Sequence, residues 1–418
     1  MIKSILDNDL YKFSMGYGYM KLYPDAEGEF EFNNRNHAMK FEDFFVQRLT
    51  EEFAKMAQLA LTDEELNWAI KAMPYIPACY WEWLKGFRYE PEKIKVWLDD
   101  EAHLHVTVCD KLYKVTLYEV PILATISELY NRAHVINDND IIDRLEPKVK
   151  LSNDEHLLYS EFGTRRRFSF DVQDKVVGYL KQNSKYCVGT SNVYLAMKYD
   201  MKPIGTVAHE WIMFHGANFG YRHANYEAYE AWVKVFDGAL GTALTDTYTS
   251  DAFFKNFSLK QAKLFDGIRQ DSGSETEFVY KAVERYRELG VDPLLKTIIF
   301  SNALDFPRFK EINDFCKGKI GKCCAGIGTN LTNDVGAVPM NIVMKLMKCR
   351  MNAKQEWVHC IKISDDKGKV MGDSKEIQAA NIELGLNIET KSTTEPEIIA
   401  KPKRANFIDT AMKFFGKH

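Results

Sequence analysis

Apolar and polar positions alternate in two distinct ways along the chain. Near the start, Tyr11, Met15 and Tyr19 are four apart and share one face of a helix. Glu27–Phe32 alternates with period two, as a half-buried strand does. From Phe41 to Ala72 the pattern is helical, with Thr62-Asp63-Glu64-Glu65 as an N-terminal cap. Ile94–Leu98, His103–Val108 and Leu112–Val120 read as strands, the last two joined by a polar turn at Cys109-Asp110-Lys111. Residues 1–121 are therefore expected to form an α+β domain with an antiparallel sheet.

From Pro121 the texture changes. Pro121–Asn137 is a long helical pattern. Short apolar runs then recur at Tyr186–Val188, Pro203–Val207, Ala239–Leu244, Thr297–Phe300 and Lys322–Ile327. Helical patterns follow most of them, at Asn192–Tyr199, Ser258–Phe265, Glu275–Leu289 and Asp305–Cys316. Strands alternating with helices predict a parallel sheet, and their number predicts a closed or partly closed barrel over residues 122–353. A sheet-like run at Val358–Ile363 and a helical Ser374–Leu384 lead to a polar Glu389–Pro402 and a basic end. Residues 354–418 are expected to pack back on the barrel and the first domain.

Composition narrows the class. With 55 basic and 59 acidic residues, net charge −4, a broad nucleic-acid-binding surface is not expected. No apolar run nears the roughly 20 residues of a membrane span, and Met1–Asp7 has no signal-peptide character. Eight cysteines without a CxxC pair suggest reduced thiols and a cytoplasmic protein.

In barrels of this kind chemistry gathers where strands end, and five turns carry polar residues there. Glu161-Phe162-Gly163-Thr164-Arg165-Arg166-Arg167 sets three arginines beside a glycine, suited to carboxylates and phosphates. Gly189-Thr190-Ser191-Asn192 is small and donor-rich ahead of a helix. Lys202–Trp211 puts His209 where a helix should begin, open to proton transfer, metal binding or attack on phosphorus. Gly267–Gly273 brings Arg269, Asp271 and Ser272 together, able to hold phosphate, ribose hydroxyls or Mg²⁺. Ser301–Asp305 pairs with Gly326-Ile327-Gly328-Thr329, whose glycines let backbone amides approach a phosphate. Leu331 breaks the dinucleotide fingerprint, no P-loop is present, and His209-Glu210 with His215 is not the zinc-protease motif. Tyr11 or Tyr17 could stack on a flat ligand, beside the plainer reading of a helix packed on the body. His103 and His105 share a strand face without a third ligand nearby. Together the turns point to a phosphorylated sugar.

The segments LDNDLYKFSM, EFGTRRRFS, GTSNVYLA, PIGTVAHEW, IRQDSG and GIGTNLTND, in this order, resemble the nicotinate phosphoribosyltransferases over nearly the full length. The resemblance implies a type II fold, an irregular α/β barrel (TIM-like) with an associated N-terminal α+β domain. It implies transfer of a phosphoribosyl group to nicotinate, coupled to ATP hydrolysis with Mg²⁺, in NAD salvage. It also implies a homodimer with a shared active site. By motif, His209 matches the phosphohistidine, Arg165 the arginine at the base and phosphate site, and Phe162 its stacking aromatic. Tyr11 matches the opposing stacking ring, delivered from the neighbouring subunit. Arg269 and Asp271 match phosphoribosyl-binding positions, and Gly326, Gly328 and Thr329 the phosphate loop. Thr190, Ser191, Ser272 and Asp305 are further expected substrate contacts. No residue is assigned to metal, Mg²⁺ travelling with the substrate phosphates. Ser191 stands where nicotinamide-using relatives have an aspartate, which fits a carboxylate-bearing base. The competing readings are a phosphoribosyltransferase for nicotinamide or quinolinate, and a non-catalytic phosphosugar-binding protein.

Overall fold

A computed structural model of the chain describes residues 1–386; the expected polar segment Glu389–Pro402 and the basic end lie outside the described residues. Its strands are β1 Glu27–Asn34, β2 Ile94–Leu98, β3 Leu104–Lys111, β4 Tyr159–Glu161, β5 Cys187–Thr190, β6 Thr242–Leu244, β7 Gly267–Gln270, β8 Thr297–Phe300, β9 Lys322–Ile327, β10 Ile342–Arg350 and β11 Val358–His359. They form two sheets. An antiparallel sheet has the order β11-β10-β1-β3-β2, and a parallel sheet the order β5-β4-β9-β8-β7-β6. This is the expected α/β architecture.

The edges of the parallel sheet are linked by irregular chain. Pro203 makes a single parallel bridge to Thr190 at the end of β5, and Thr206 Oγ1 donates to the Thr242 carbonyl of β6 at 2.7 Å. The expected strand at Pro203–Val207 is thus reduced to one bridge. Pro203 has no N–H to donate, and a Cβ on Gly205 would lie 3.0 Å from Leu10 and Tyr11.

Leu112–Val120 departs from expectation. It forms a helical turn at Leu112–Val115, a 3₁₀ turn at Thr116–Tyr118 and the start of the helix Glu119–Asn131. Leu112, Val115, Leu117, Tyr118 and Val120 are all fully buried, and a short, largely apolar run does not separate helix from strand by its pattern. β3 accordingly runs through the expected turn to Lys111. β10, unmarked in the pattern, lies between β11 and β1 and carries the C-terminal part of the chain into the sheet begun by β1. The cap at Thr62 is as expected: its side chain accepts from the Glu65 N–H, and Glu65 reaches back to the Thr62 N–H.

The N-terminal segment is fixed to the parallel sheet. Leu10 N–H donates to the Ser191 carbonyl, and the Val193 and Tyr194 N–H groups to Asn8 and Leu6. Beneath this strip the fully buried Arg167 reaches Asp7 through two nitrogens, at 2.7 and 3.0 Å, and Asn192 Nδ2 donates to Asp7 at 2.8 Å. The helix Leu10–Leu22 then begins, and its Ser14 Oγ donates to the Thr206 carbonyl at 2.7 Å.

Replacing one partner of this pair strands the other charge in the core. Arg167→Met should cost roughly 3–5 kcal/mol of unfolding free energy, measured by urea denaturation. A loss below ~1 kcal/mol would show that the pair does not hold the segment.

Candidate functional site

The polar turns meet at the C-terminal ends of the parallel strands, around a cavity of about 400 Å³. Its walls take Phe162, Gly163 and Arg165 from the turn after β4, His209 from its helix, Asp271 after β7, Gly326 near the end of β9, and Gly328 and Thr329 after it. The antiparallel sheet supplies the facing wall through Phe30 of β1 and Val343 to Leu346 of β10. Tyr11 and Phe162 are the aromatic rings expected for a flat ligand, and both line it. Tyr11 reaches the cavity within the same chain, where delivery from a neighbouring subunit was expected. Tyr17 packs instead against Tyr80 and Phe236.

The three arginines of the first turn divide their work. Arg165 lines the cavity with a nitrogen 3.9 Å from Glu119. Arg166 donates from Nε to the Ile342 carbonyl at 2.8 Å, tying the turn to β10, and Arg167 points into the core. The glycine ahead of them is a packing requirement: a Cβ at Gly163 would lie 2.0 Å from Thr332 Oγ1. Glu161 below it accepts from the Gly163 N–H, from Thr190 Oγ1 and from Gln173 Nε2. Burial pushes its pKa up to about 7.

His209 opens the helix His209–Phe219 and is 4% exposed. Its Nδ1 is 3.0 Å from Thr247 Oγ1, and its Nε2 is 3.1 Å from both Asp271 Oδ2 and Lys362 Nζ. Burial, and next the Lys362 ammonium, push its pKa down to about 4, so the imidazole is neutral near pH 7. Burial alone would raise the Asp271 carboxyl, but the His209 hydrogen bond and the Arg269 charge hold it well below the usual range. Lys362 arrives from the chain after β11, where the Ile363 N–H donates to the Thr247 carbonyl.

Asp246, just beyond β6, completes this cluster. One oxygen accepts from Ser272 Oγ at 2.6 Å and pairs with Lys362 at 3.2 Å. The other, Oδ1, is buried without a hydrogen-bond partner among the described residues. Ligand atoms of His209, Asp246 and Asp271 lie within 4.8 Å of one another. Two carboxylates, one with an unsatisfied oxygen, fit a hard divalent cation such as Mg²⁺, for which the imidazole is a poor ligand.

Four expected contacts do not line the cavity. Thr190 donates to Glu161, and Ser191 donates to Asp9 Oδ1 at 2.8 Å, both fully buried. Ser272 is committed to Asp246. Asp305 is exposed and caps the helix Phe306–Cys316 by accepting from the Arg308 N–H. These side chains satisfy buried carboxylates or a helix end instead of facing the ligand. Ser191 also fails to leave the slot free of acid, because its partner Asp9 lines the cavity with a pKa raised by burial. His103 and His105 share Asp99 Oδ2 at 3.0 Å each, in the sheet, away from the cavity.

Several site residues escaped the sequence reading: Asp246, Lys345, Lys362, Arg35 and Glu119. Asp246 was accessible to the strand-end rule, since Thr245-Asp246-Thr247 follows an expected strand. The lysines stand in β10 and beyond β11 without a local motif. The Lys345 ammonium has no hydrogen-bond or ion-pair partner among the described residues, and its pKa is pushed down to about 7, by burial foremost, against the pull of Glu119.

Family models for the nicotinate phosphoribosyltransferase (NAPRTase) N-terminal domain and for the nicotinate phosphoribosyltransferase (NAPRTase) family match residues 6–127 and 157–387. A nicotinate phosphoribosyltransferase of Desulforapulum autotrophicum is 44% identical over 90% of this chain and 97% of its own length. One from Methanosarcina mazei is 39% identical over 92% and 98%. The crystal structure of the Porphyromonas gingivalis nicotinate phosphoribosyltransferase superposes with a TM-score of 0.91 at 48% identity, covering 92% of this chain and 100% of that one. The Vibrio cholerae structure gives 0.86 at 31% identity, covering 93% and 94%.

Lys345 gives the cavity a titratable cation. It is charged below pH 7 and neutral above, so affinity for an anion of constant charge such as sulfate should fall by up to roughly tenfold (~1.4 kcal/mol) between pH 6 and 8. Calorimetric titration measures this, and Lys345→Arg should remove the pH dependence. A wild-type profile as flat as that of the arginine variant would assign the anion site elsewhere.

Proposed function

The chain belongs to the nicotinate phosphoribosyltransferase family, and from that premise we propose that it joins nicotinate to 5-phosphoribosyl 1-diphosphate, giving nicotinate mononucleotide and diphosphate. The observation that carries the reading is the combination, in the lining of one cavity, of the Tyr11 and Phe162 rings, the Arg165 guanidinium, and the glycine-edged turn at Gly326–Thr329. The pyridine nitrogen forms its bond to C1 of the ribose as the C1–O bond to diphosphate breaks. Charge develops on an oxocarbenium-like ribose and on the leaving group, so positioning and cations at the diphosphate lower the barrier. No protein nucleophile is needed at the sugar.

His209 has a separate task in this reading, the transfer of a phosphoryl group from ATP. In the tautomer with its proton on Nδ1 toward Thr247 Oγ1, which gives up the Nε2 hydrogen bond to Asp271, the Nε2 lone pair attacks the γ-phosphorus; the N–P bond forms, the bond to the leaving oxygen of ADP breaks, and ADP departs. Water later cleaves the N–P bond, releasing phosphate and the neutral imidazole. Neutrality at physiological pH is what this requires, and the low pKa of His209 supplies it. Asp246 and Asp271 would hold Mg²⁺, which when bound neutralises phosphate oxygens. Differential affinity of the phosphorylated and free forms for substrates and products couples the two reactions. The setting is a soluble step of NAD salvage in the cytoplasm; no helix among the described residues is long and apolar enough to cross a membrane.

Assay of nucleotide formation from nicotinate, nicotinamide and quinolinate tests the substrate, with nicotinate expected to be preferred and a preference for either other base overturning the reading. His209→Ala should lower kcat/KM in the presence of ATP to the ATP-free value while leaving weak transfer. Undiminished ATP stimulation in this variant would remove His209 from the coupling.

A further inference from the structure

Lys12 lies behind the cavity wall with its ammonium fully buried. It pairs with two carboxylates, Glu119 and Glu210, each of which lines the cavity. Its Nζ is 5.3 Å from the ring centroids of both Tyr11 and Phe30. Thr116 Oγ1 donates to the second oxygen of Glu210 at 2.5 Å, fixing that side chain from below. Glu210 follows His209 in the first turn of its helix, and Glu119 is the acid 3.9 Å from Arg165. One ammonium therefore ties the phosphoryl end of the cavity to the aromatic end.

Stability alone is a poor reason for this cluster. Two carboxylates and one ammonium have been taken out of water, and well-packed apolar side chains would commonly do as well. The burial is uneven in its effect. Burial raises the Glu210 carboxyl, while Lys12 outweighs it at Glu119 and keeps that group ionised. A change of charge beside Glu210 alters how Lys12 is shared between the two acids, and so alters how strongly Glu119 holds Arg165.

We propose that Lys12 is a positioning residue that transmits the phosphorylation state of His209, through Glu210 and Glu119, to Arg165 and the Tyr11 side of the nicotinate slot. This rests on the phosphohistidine reading above. A phosphoryl group on His209 adds negative charge within one residue of Glu210. Repulsion there shifts Lys12 between its partners, and the slot at the other end feels the shift through Glu119 and the two rings.

The test uses the full-length enzyme with nicotinate, phosphoribosyl diphosphate and ATP. KM for nicotinate is measured with and without ATP, alongside acid-labile phosphoenzyme formed from labelled ATP. In the wild type ATP should lower KM by about tenfold. Lys12→Met should still form phosphoenzyme, within about threefold of wild type, but lose most of the ATP-dependent change in KM, and Lys12→Arg should restore part of it. Should Lys12→Met not fold, Thr116→Val, which removes one hydrogen bond to Glu210, decides the matter by a reduced ATP effect with phosphoenzyme intact. The proposal is overturned if the folded variant keeps the full ATP effect on KM, or if phosphoenzyme and ATP effect are lost in parallel. A wild type with no phosphoenzyme overturns the phosphohistidine reading itself, and this inference with it; a wild type with phosphoenzyme but no change in KM overturns only the inference.

Discussion

The buried pair between Asp7 and Arg167 is the interaction on which the site depends. Both side chains are fully buried, and Asn192 and Gln173 satisfy much of what remains of their hydrogen-bonding capacity. Through it the first ten residues lie along the end of β5 and lead into the helix Leu10–Leu22. Asp9 and Tyr11 consequently reach the cavity, and Lys12 the space behind its wall, from a part of the chain remote in sequence from the parallel sheet. Without that clamp the aromatic slot would have only Phe162, and the ammonium behind the wall would have no fixed place. An ion pair this deep contributes little net stability, but breaking it is costly, which makes it a device for specificity of docking.

The second organising feature is charge held in low dielectric. His209 stays neutral because burial and Lys362 disfavour its proton, while Asp271 stays ionised because His209 and Arg269 favour its charge. Opposite protonation tendencies in touching groups are what a nucleophilic imidazole beside a phosphate-binding carboxylate needs. The cations that face the cavity come from both sheets: Arg165 and Arg269 from the barrel, Lys345 and Lys362 from the strands and turns beyond it. Closing the two sheets around the cavity therefore also assembles its electrostatics.

Much of this was legible in the chain itself. A period-two pattern marked β1, short apolar runs marked β8 and β9, and helical periods marked helices such as Glu275–Glu288 and Phe306–Cys316, while β4, β7 and the helices Asp138–Asp154, Phe170–Asn183 and Ala224–Phe236 went unmarked; the polar turns after β4 and β7 were found by their residue types. Motif resemblance added Tyr11, whose spacing alone could not separate a stacking ring from a packed one. What stayed hidden had physical reasons. Leu112–Val120 is rich in β-branched and aromatic residues, which read as a strand, and its burial on several sides comes only from the packing of its helical turns. Asp305 and Ser272 have the residue types of ligands, yet a helix end and a buried carboxylate claimed them. Lys345 and Lys362 depend on β10 and β11 returning to the first sheet, a long-range pairing that no local pattern encodes.

The central claim is that His209 accepts the phosphoryl group of ATP as a neutral, buried nucleophile. Incubation with γ-³²P-labelled ATP and Mg²⁺, followed by denaturation in base or acid, tests it most directly. The account predicts protein-bound label that survives base, is lost in acid, and is absent from His209→Ala. Label that survives acid, or that persists in His209→Ala, would contradict it.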